Sequence, residues 1–193
     1  KVAAKLKPND LLMVLSDHGF HSFRTEFNVN TWLVRNGYLA VKDQDDPATA
    51  NTDTRFLQDF DWDRTRAYSI GLGSIFLNLE GREGRGTVSR EEAPALIAEL
   101  KSKLEQVTDP ATGDKVFRAV YTGDIYDGVS KADAPDIQLG YADGYQTGKD
   151  SAAGGAPKEV FAPNADKWSG EHASSDAAAT PGILFVNRPI GTD

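Results

Sequence analysis

Cysteine is absent from the 193 residues, which excludes disulfides and thiolate metal sites and leaves the redox compartment undecided. No apolar stretch approaches the roughly 18 residues that span a bilayer. Cations are outnumbered: 21 Lys and Arg stand against 29 Asp and Glu, a net charge of −8. No local Lys/Arg cluster offsets that balance, so a nucleic-acid polymer or an anionic membrane is excluded as a general partner. A chain of this length buries a core as one domain or at most two. A soluble, cytoplasmic chain is the default expectation. Compartment stays open, because a sequence starting at Lys1 rather than Met says nothing of a signal peptide.

What is present begins with a junction. The apolar run Leu11 to Leu15 is too short for a typical helix and lies between turn formers, so it reads as a buried strand. It ends in Ser16-Asp17-His18-Gly19, and ligands in α/β proteins gather just past the carboxyl ends of strands. Asp17 and His18 pair a hard oxygen with an imidazole, a donor set suited to zinc or a similar divalent ion. The same dipeptide also fits a turn with a capping Asp and an exposed His. Gly19 leaves the backbone free to turn.

Further along, Asn28 or Asn30 caps a short helix through Thr31–Arg35, stopped by Asn36-Gly37. A strand over Tyr38–Val41 precedes a polar loop at 43–55. Arg66–Ile70 and Ser74–Leu79 read as strands joined across Gly71 to Gly73. The longest helix carries a Ser89/Glu92 capping box and an apolar face of Leu96, Ile97, Leu100, Leu104 and Val107. Pro94 delays its regular start. Val116–Tyr121 is a strand, 122–168 is loop-dominated, and Ala152–Ala156 is the most flexible-looking stretch. Gly182–Asn187 reads as a second buried strand, and Val2, Ala3 and Leu6 as the end of a helix. Strands alternating with helices predict α/β layers.

Other motifs fail. Asp59, Asp61 and Asp63 mimic a calcium loop, but Arg64 replaces its glycine and Ile70 its final glutamate. Gly71-Leu72-Gly73 lacks the third glycine of a dinucleotide fingerprint. His21 lies four residues after Asp17, but the Gly19 turn argues against a helix there, so His21 is at most adjacent to a site. His172, in the loop Trp168–His172, reads by itself as an exposed histidine.

Taken together, Ser16-Asp17-His18-Gly19-Phe20, Asn30-Thr31-Trp32-Leu33, Asn36-Gly37-Tyr38-Leu39, Arg64–Ser69, Asn78–Glu83, Pro135-Asp136-Ile137, Trp168–His172 and Pro181–Phe185 resemble the alkaline phosphatase superfamily. The resemblance is narrower still to its type I phosphodiesterase/nucleotide pyrophosphatase branch. It implies an alkaline-phosphatase-like α/β fold, here a partial mixed sheet flanked by helices with a loop-rich C-terminal half. It also implies a phosphohydrolase with two divalent metal ions, usually zinc, a Thr or Ser nucleophile, and a small phosphoester or nucleotide as substrate. By position, Asp17 and His18 hold the ion that activates the nucleophile and His172 holds the other.

The family's nucleophile and its Asp-x-x-x-His pair precede the SDHG strand, and Lys1 to Asp10 carry no counterpart. The resemblance therefore implies that residues 1–193 are the C-terminal portion of the domain, truncated at both ends and inactive alone, with no catalytic nucleophile of their own. A non-catalytic α/β binding module derived from the enzyme, or a phosphomutase or sulfatase of the superfamily, are the alternatives.

Overall fold

The computed structural model describes residues 1–47, 53–54, 56–172, 176–189 and 191. Ten strands and three helices follow in order: β1 Met13–His18, β2 His21–Phe27, α1 Val29–Arg35, β3 Ala67–Ser69, β4 Ser74–Leu77, α2 Ala93–Leu104, β5 Phe117–Thr122, β6 Ile137–Tyr141, β7 Gly144–Thr147, α3 Lys149–Ala152, β8 Phe161–Pro163, β9 Gly170–Glu171 and β10 Pro181–Val186. The architecture is mixed α/β, consistent with the expected alkaline-phosphatase-like class. Among the described residues no helix is long and apolar enough to cross a membrane.

The strands form three sheets. An antiparallel sheet runs in the order β3-β4-β6-β5. In the second sheet β2 is central, parallel to β7, antiparallel to β8 and, at its start, to β9. The third is a ribbon of β1 and β10 alone. The core lies where α1 and α2 meet the first two sheets: Phe27 packs edge-on against Phe117 at 5.1 Å, and Leu33, Leu39, Leu100, Ile137 and Tyr141 close around them.

α2 follows its sequence signals. Ser89 N–H donates to Glu92 Oε2 and Glu92 N–H to Ser89 Oγ, both at 3.2 Å, and the regular helix starts after this box with Pro94 in its first turn. Leu96, Leu100 and Leu104 are buried, each burial contributing about 2 kcal/mol. At α1 the Asn28 side chain does not cap; its Nδ2 donates to the Glu159 carbonyl at 2.8 Å, tying the helix start to the β8 segment.

Several expectations are corrected. Tyr38–Val41 is not a strand, because the Tyr38 carbonyl accepts from both Arg66 and Ala67 and only Val41 makes a bridge, to Phe60. The N-terminal turn is a 3₁₀ helix of Ala3–Lys5 that buries nothing. Residues 122–168 are loop-dominated, as expected, with the short elements β6, β7, α3 and β8 set among the loops. Ala152–Ala156 is pinned rather than loose. Gly155 accepts from Asn30 Nδ2 at 3.1 Å and Ala156 N–H donates to Thr54 Oγ1 at 2.9 Å. Of the polar loop at 43–55, residues 48–52 and 55 lie outside the described residues.

The sharpest correction concerns β1 and β10, expected to be buried. Leu15 opposes Leu184 and Val14 opposes Phe185, and these side chains are 65, 55, 51 and 64% exposed respectively. Opposed residues share a face and adjacent residues take opposite faces. Both faces of the ribbon are therefore apolar and bare, since no layer of the described residues packs on either.

Candidate functional site

β1 ends at His18, and the chain turns at once. Gly19 N–H donates to the Thr180 carbonyl at 3.0 Å, so the turn leans on the residue before β10. A Cβ at Gly19 would lie 3.3 Å from the Pro181 carbonyl oxygen, a close approach that suits glycine. Beyond the turn, β2 pairs with β9 so that His21 opposes Glu171 and Ser22 opposes Gly170. One step further along that register, Phe20 meets His172.

The two histidines converge. The rings of His18 and His172 stack with centroids 4.0 Å apart and planes 10° from parallel. Phe20 sets its edge against both, 5.5 Å from His18 and 4.7 Å from His172. His18 Nδ1 lies 3.0 Å from the Gly19 carbonyl oxygen, a contact that puts the proton on Nδ1 and leaves the Nε2 lone pair free, the arrangement of a metal-ligating imidazole. Asp17 Oδ1 is 3.7 Å from that Nε2. The carboxylate is 87% exposed against 34% for the imidazole, so the pair opens to solvent.

The support around this trio is local and specific. Ser16 Oγ donates to the His18 carbonyl at 2.6 Å. Trp168 Nε1 donates to the Gly170 carbonyl at 2.8 Å, fixing the loop that leads into His172. His21 stands beside the site with Nδ1 3.1 Å from the Ser22 carbonyl oxygen and 3.9 Å from Asp143 Oδ1. After His172 the chain is anchored by Asp176, whose Oδ2 accepts from Tyr121 Oη at 2.5 Å and whose Oδ1 accepts from Ala178 N–H at 2.8 Å. That anchor also pushes the Tyr121 phenol above its ordinary value, first through the Asp176 hydrogen bond and then through burial.

Parallel rings carry their in-plane lone pairs on separate, parallel axes, so His18 and His172 do not converge on one ion. A zinc ion takes at least three protein donors, and among the described residues no three His, Cys, Asp or Glu side chains are grouped to hold a metal. The donors present are thus too few to hold either ion alone.

Sequence reasoning missed three of these parts. Phe20 stood in the motif without a role. Asp176 and Tyr121 lie 55 residues apart, and neither carries a local signal. β2 did leave one, the alternation of Phe23, Thr25 and Phe27 with Ser22, Arg24 and Glu26.

A model of the type I phosphodiesterase / nucleotide pyrophosphatase family matches residues 1–167. The match takes in Asp17 and His18 and stops short of His172. No curated protein and no solved structure matches the chain. The family consists of hydrolases that act on small-molecule phosphoesters and are generally metal-dependent. With more than half its length covered by this match, the chain belongs to the type I phosphodiesterase / nucleotide pyrophosphatase family.

Proposed function

We propose that the chain is the C-terminal portion, residues 1–193, of a metal-dependent phosphoester hydrolase. In this reading Asp17 and His18 contribute to one divalent ion and His172 to a second, both zinc. The remaining donors and a Thr or Ser nucleophile come from outside this sequence. Such ions lower the pKa of a coordinated hydroxyl and neutralise charge on the phosphoryl group. The observation that carries the reading is the His18–His172 stack, which brings a motif from the first strand and one from a distant loop to a single place.

The bare β1–β10 ribbon supports the same reading. A strand pair apolar on both faces is the pattern of a sheet interior covered by two layers, and such a surface is stable in water only when something covers it. The ribbon ends at Asp17 and His18, so whatever covers it lies beside these two donors. The non-catalytic alternative draws on the missing third donor. Membership of a phosphodiesterase family favours diester hydrolysis over mutase or sulfatase chemistry.

The test is an assay of the full-length protein on an aryl phosphodiester with and without a chelator. Turnover is expected that the chelator abolishes and zinc restores, with activity in His18→Ala and His172→Ala reduced by at least about 100-fold. Full metal-dependent activity in His18→Ala overturns the site, and no turnover under any metal favours the binding module.

A further inference from the structure

A cleft of about 580 Å³ lies between α2 and the segments that flank β5 and β6, and it shares no lining residue with the His18–His172 site. That volume falls within the range of small-molecule sites. α2 turns one face to it, with Pro94, Ile97 and Lys101 at helical spacing, and Pro135 forms part of the opposite wall.

The cleft's charge runs against that of the chain. Four cations, Arg82, Arg90, Lys101 and Lys131, line it against two carboxylates, Asp124 and Asp136, in a chain of net charge −8. Two of the cations are already engaged. Arg82 Nη2 lies 2.7 Å from Asp136 Oδ2 and its Nε 2.8 Å from Glu83 Oε1, all three side chains largely buried, so its charge is already spent in the floor. Lys101 Nζ donates to the Val120 carbonyl and lies 3.2 Å from Glu105 Oε1. The side chains of Arg90 and Lys131 are exposed and make no hydrogen bond or ion pair among the described residues. A concave wall of low dielectric focuses the field of such unengaged cations. A guanidinium pairs with phosphate or carboxylate through two parallel bonds.

We propose that this cleft binds a small molecule with an anionic head, phosphate or carboxylate, on an apolar body. Arg90 and Lys131 neutralise the head, and Pro94, Ile97 and Pro135 receive the body. The site is separate from the phosphohydrolase site and does not depend on it.

The experiment is an amide NMR titration of the chain with phenyl phosphate and, separately, 3-phenylpropanoate; the two arms distinguish a phosphate source from a carboxylate source. Saturable shifts are expected along α2 and around Lys131 for at least one of them. Benzyl alcohol, which lacks the charge, and inorganic phosphate, which lacks the body, should bind at least about tenfold more weakly. Arg90→Glu/Lys131→Glu should raise the Kd at least about tenfold, with Arg90→Gln/Lys131→Gln intermediate. Both side chains are exposed, so the fold survives either change. Absence of binding by both anions, shifts confined to the surroundings of His18 and His172, equal binding of the alcohol, equal binding of inorganic phosphate, or a Kd indifferent to charge reversal each overturn the proposal.

Discussion

Tyr121 Oη donates a 2.5 Å hydrogen bond to Asp176 Oδ2, and through it the antiparallel sheet holds the residues 176–180 that lead into β10. Asp176 is almost fully buried, and among the described residues it pairs with one cation, the half-exposed Arg118, with Nε at 3.5 Å. The carboxylate therefore depends on Tyr121 and the Ala178 amide. Tyr121→Phe removes one charged hydrogen bond and should cost about 1.5–3 kcal/mol in urea unfolding. Asp176→Ala should cost at least as much, because it leaves the Tyr121 hydroxyl and the Ala178 amide without their shared acceptor. If the segment positions His172, either variant also shifts the ring resonances of His18, whose partner in the stack moves. Loss of stability with unchanged His18 signals would show an anchor that stabilises without positioning.

Legibility in the sequence followed the range of the interactions involved. The Ser89/Glu92 box, the apolar face of α2 and the Gly71-to-Gly73 hairpin are set within a few residues, and each was readable. So was the Asp17-His18 corner, because a strand end plus two donor types is a local pattern. The partnership of His18 with His172 has no local signal. It entered only through resemblance, and the structure produces it through the β2–β9 register. The exposure of β1 was illegible for a different reason. An apolar strand reads as buried because it needs a cover, and the sequence of the strand does not say where the cover comes from.

That need for a cover leads to a second prediction. Leu184→Lys/Phe185→Lys places a charge on each face of the ribbon, where nothing packs. In this chain the pair should leave unfolding within about 0.5 kcal/mol of wild type. It should also lower dye binding to apolar surface and reduce self-association in sedimentation, since bare apolar strands are aggregation sites. In the full-length protein the same pair should destabilise strongly, as charges do in a covered sheet. Equal tolerance in both contexts would mean the ribbon is bare in the enzyme too, and that it is not a sheet interior.

Gly154 tests whether the Ala152–Ala156 run is pinned. Its φ of +91° is left-handed, and a Cβ built there meets Leu57 Cγ at 3.0 Å. Gly154→Ala meets strain from both sources and should lose about 1–2 kcal/mol. Ala153→Gly beside it, at an exposed position, is the control and should lose less than about 1 kcal/mol. A flexible stretch would instead gain stability from Gly154→Ala, through a stiffer unfolded chain. The sign of the change in denaturation midpoint decides between them.

Tyr68 contributes to the alkaline pH dependence. Its ring lies edge-on to Trp62 at 5.2 Å and stacks on Phe76 at 5.6 Å, and its hydroxyl donates to Glu83 Oε1 at 3.2 Å. Burial, then the negative charge of Glu83, pushes the phenol up to about 12. An unfolded tyrosine ionises near about 10, so between these values the folded chain retains a proton that the unfolded chain has lost. Stability then falls as pH rises. The contribution is complete below the lower value and gone once pH passes the upper one. Other tyrosines are raised as well, Tyr141 by complete burial, so the difference between proteins is the readout. Urea midpoints of wild type and Tyr68→Phe, measured across that window, should converge as pH rises, and the 295 nm titration of the variant should lose a late step. Parallel midpoints would show that Tyr68 ionises no later in the folded chain than in the unfolded one.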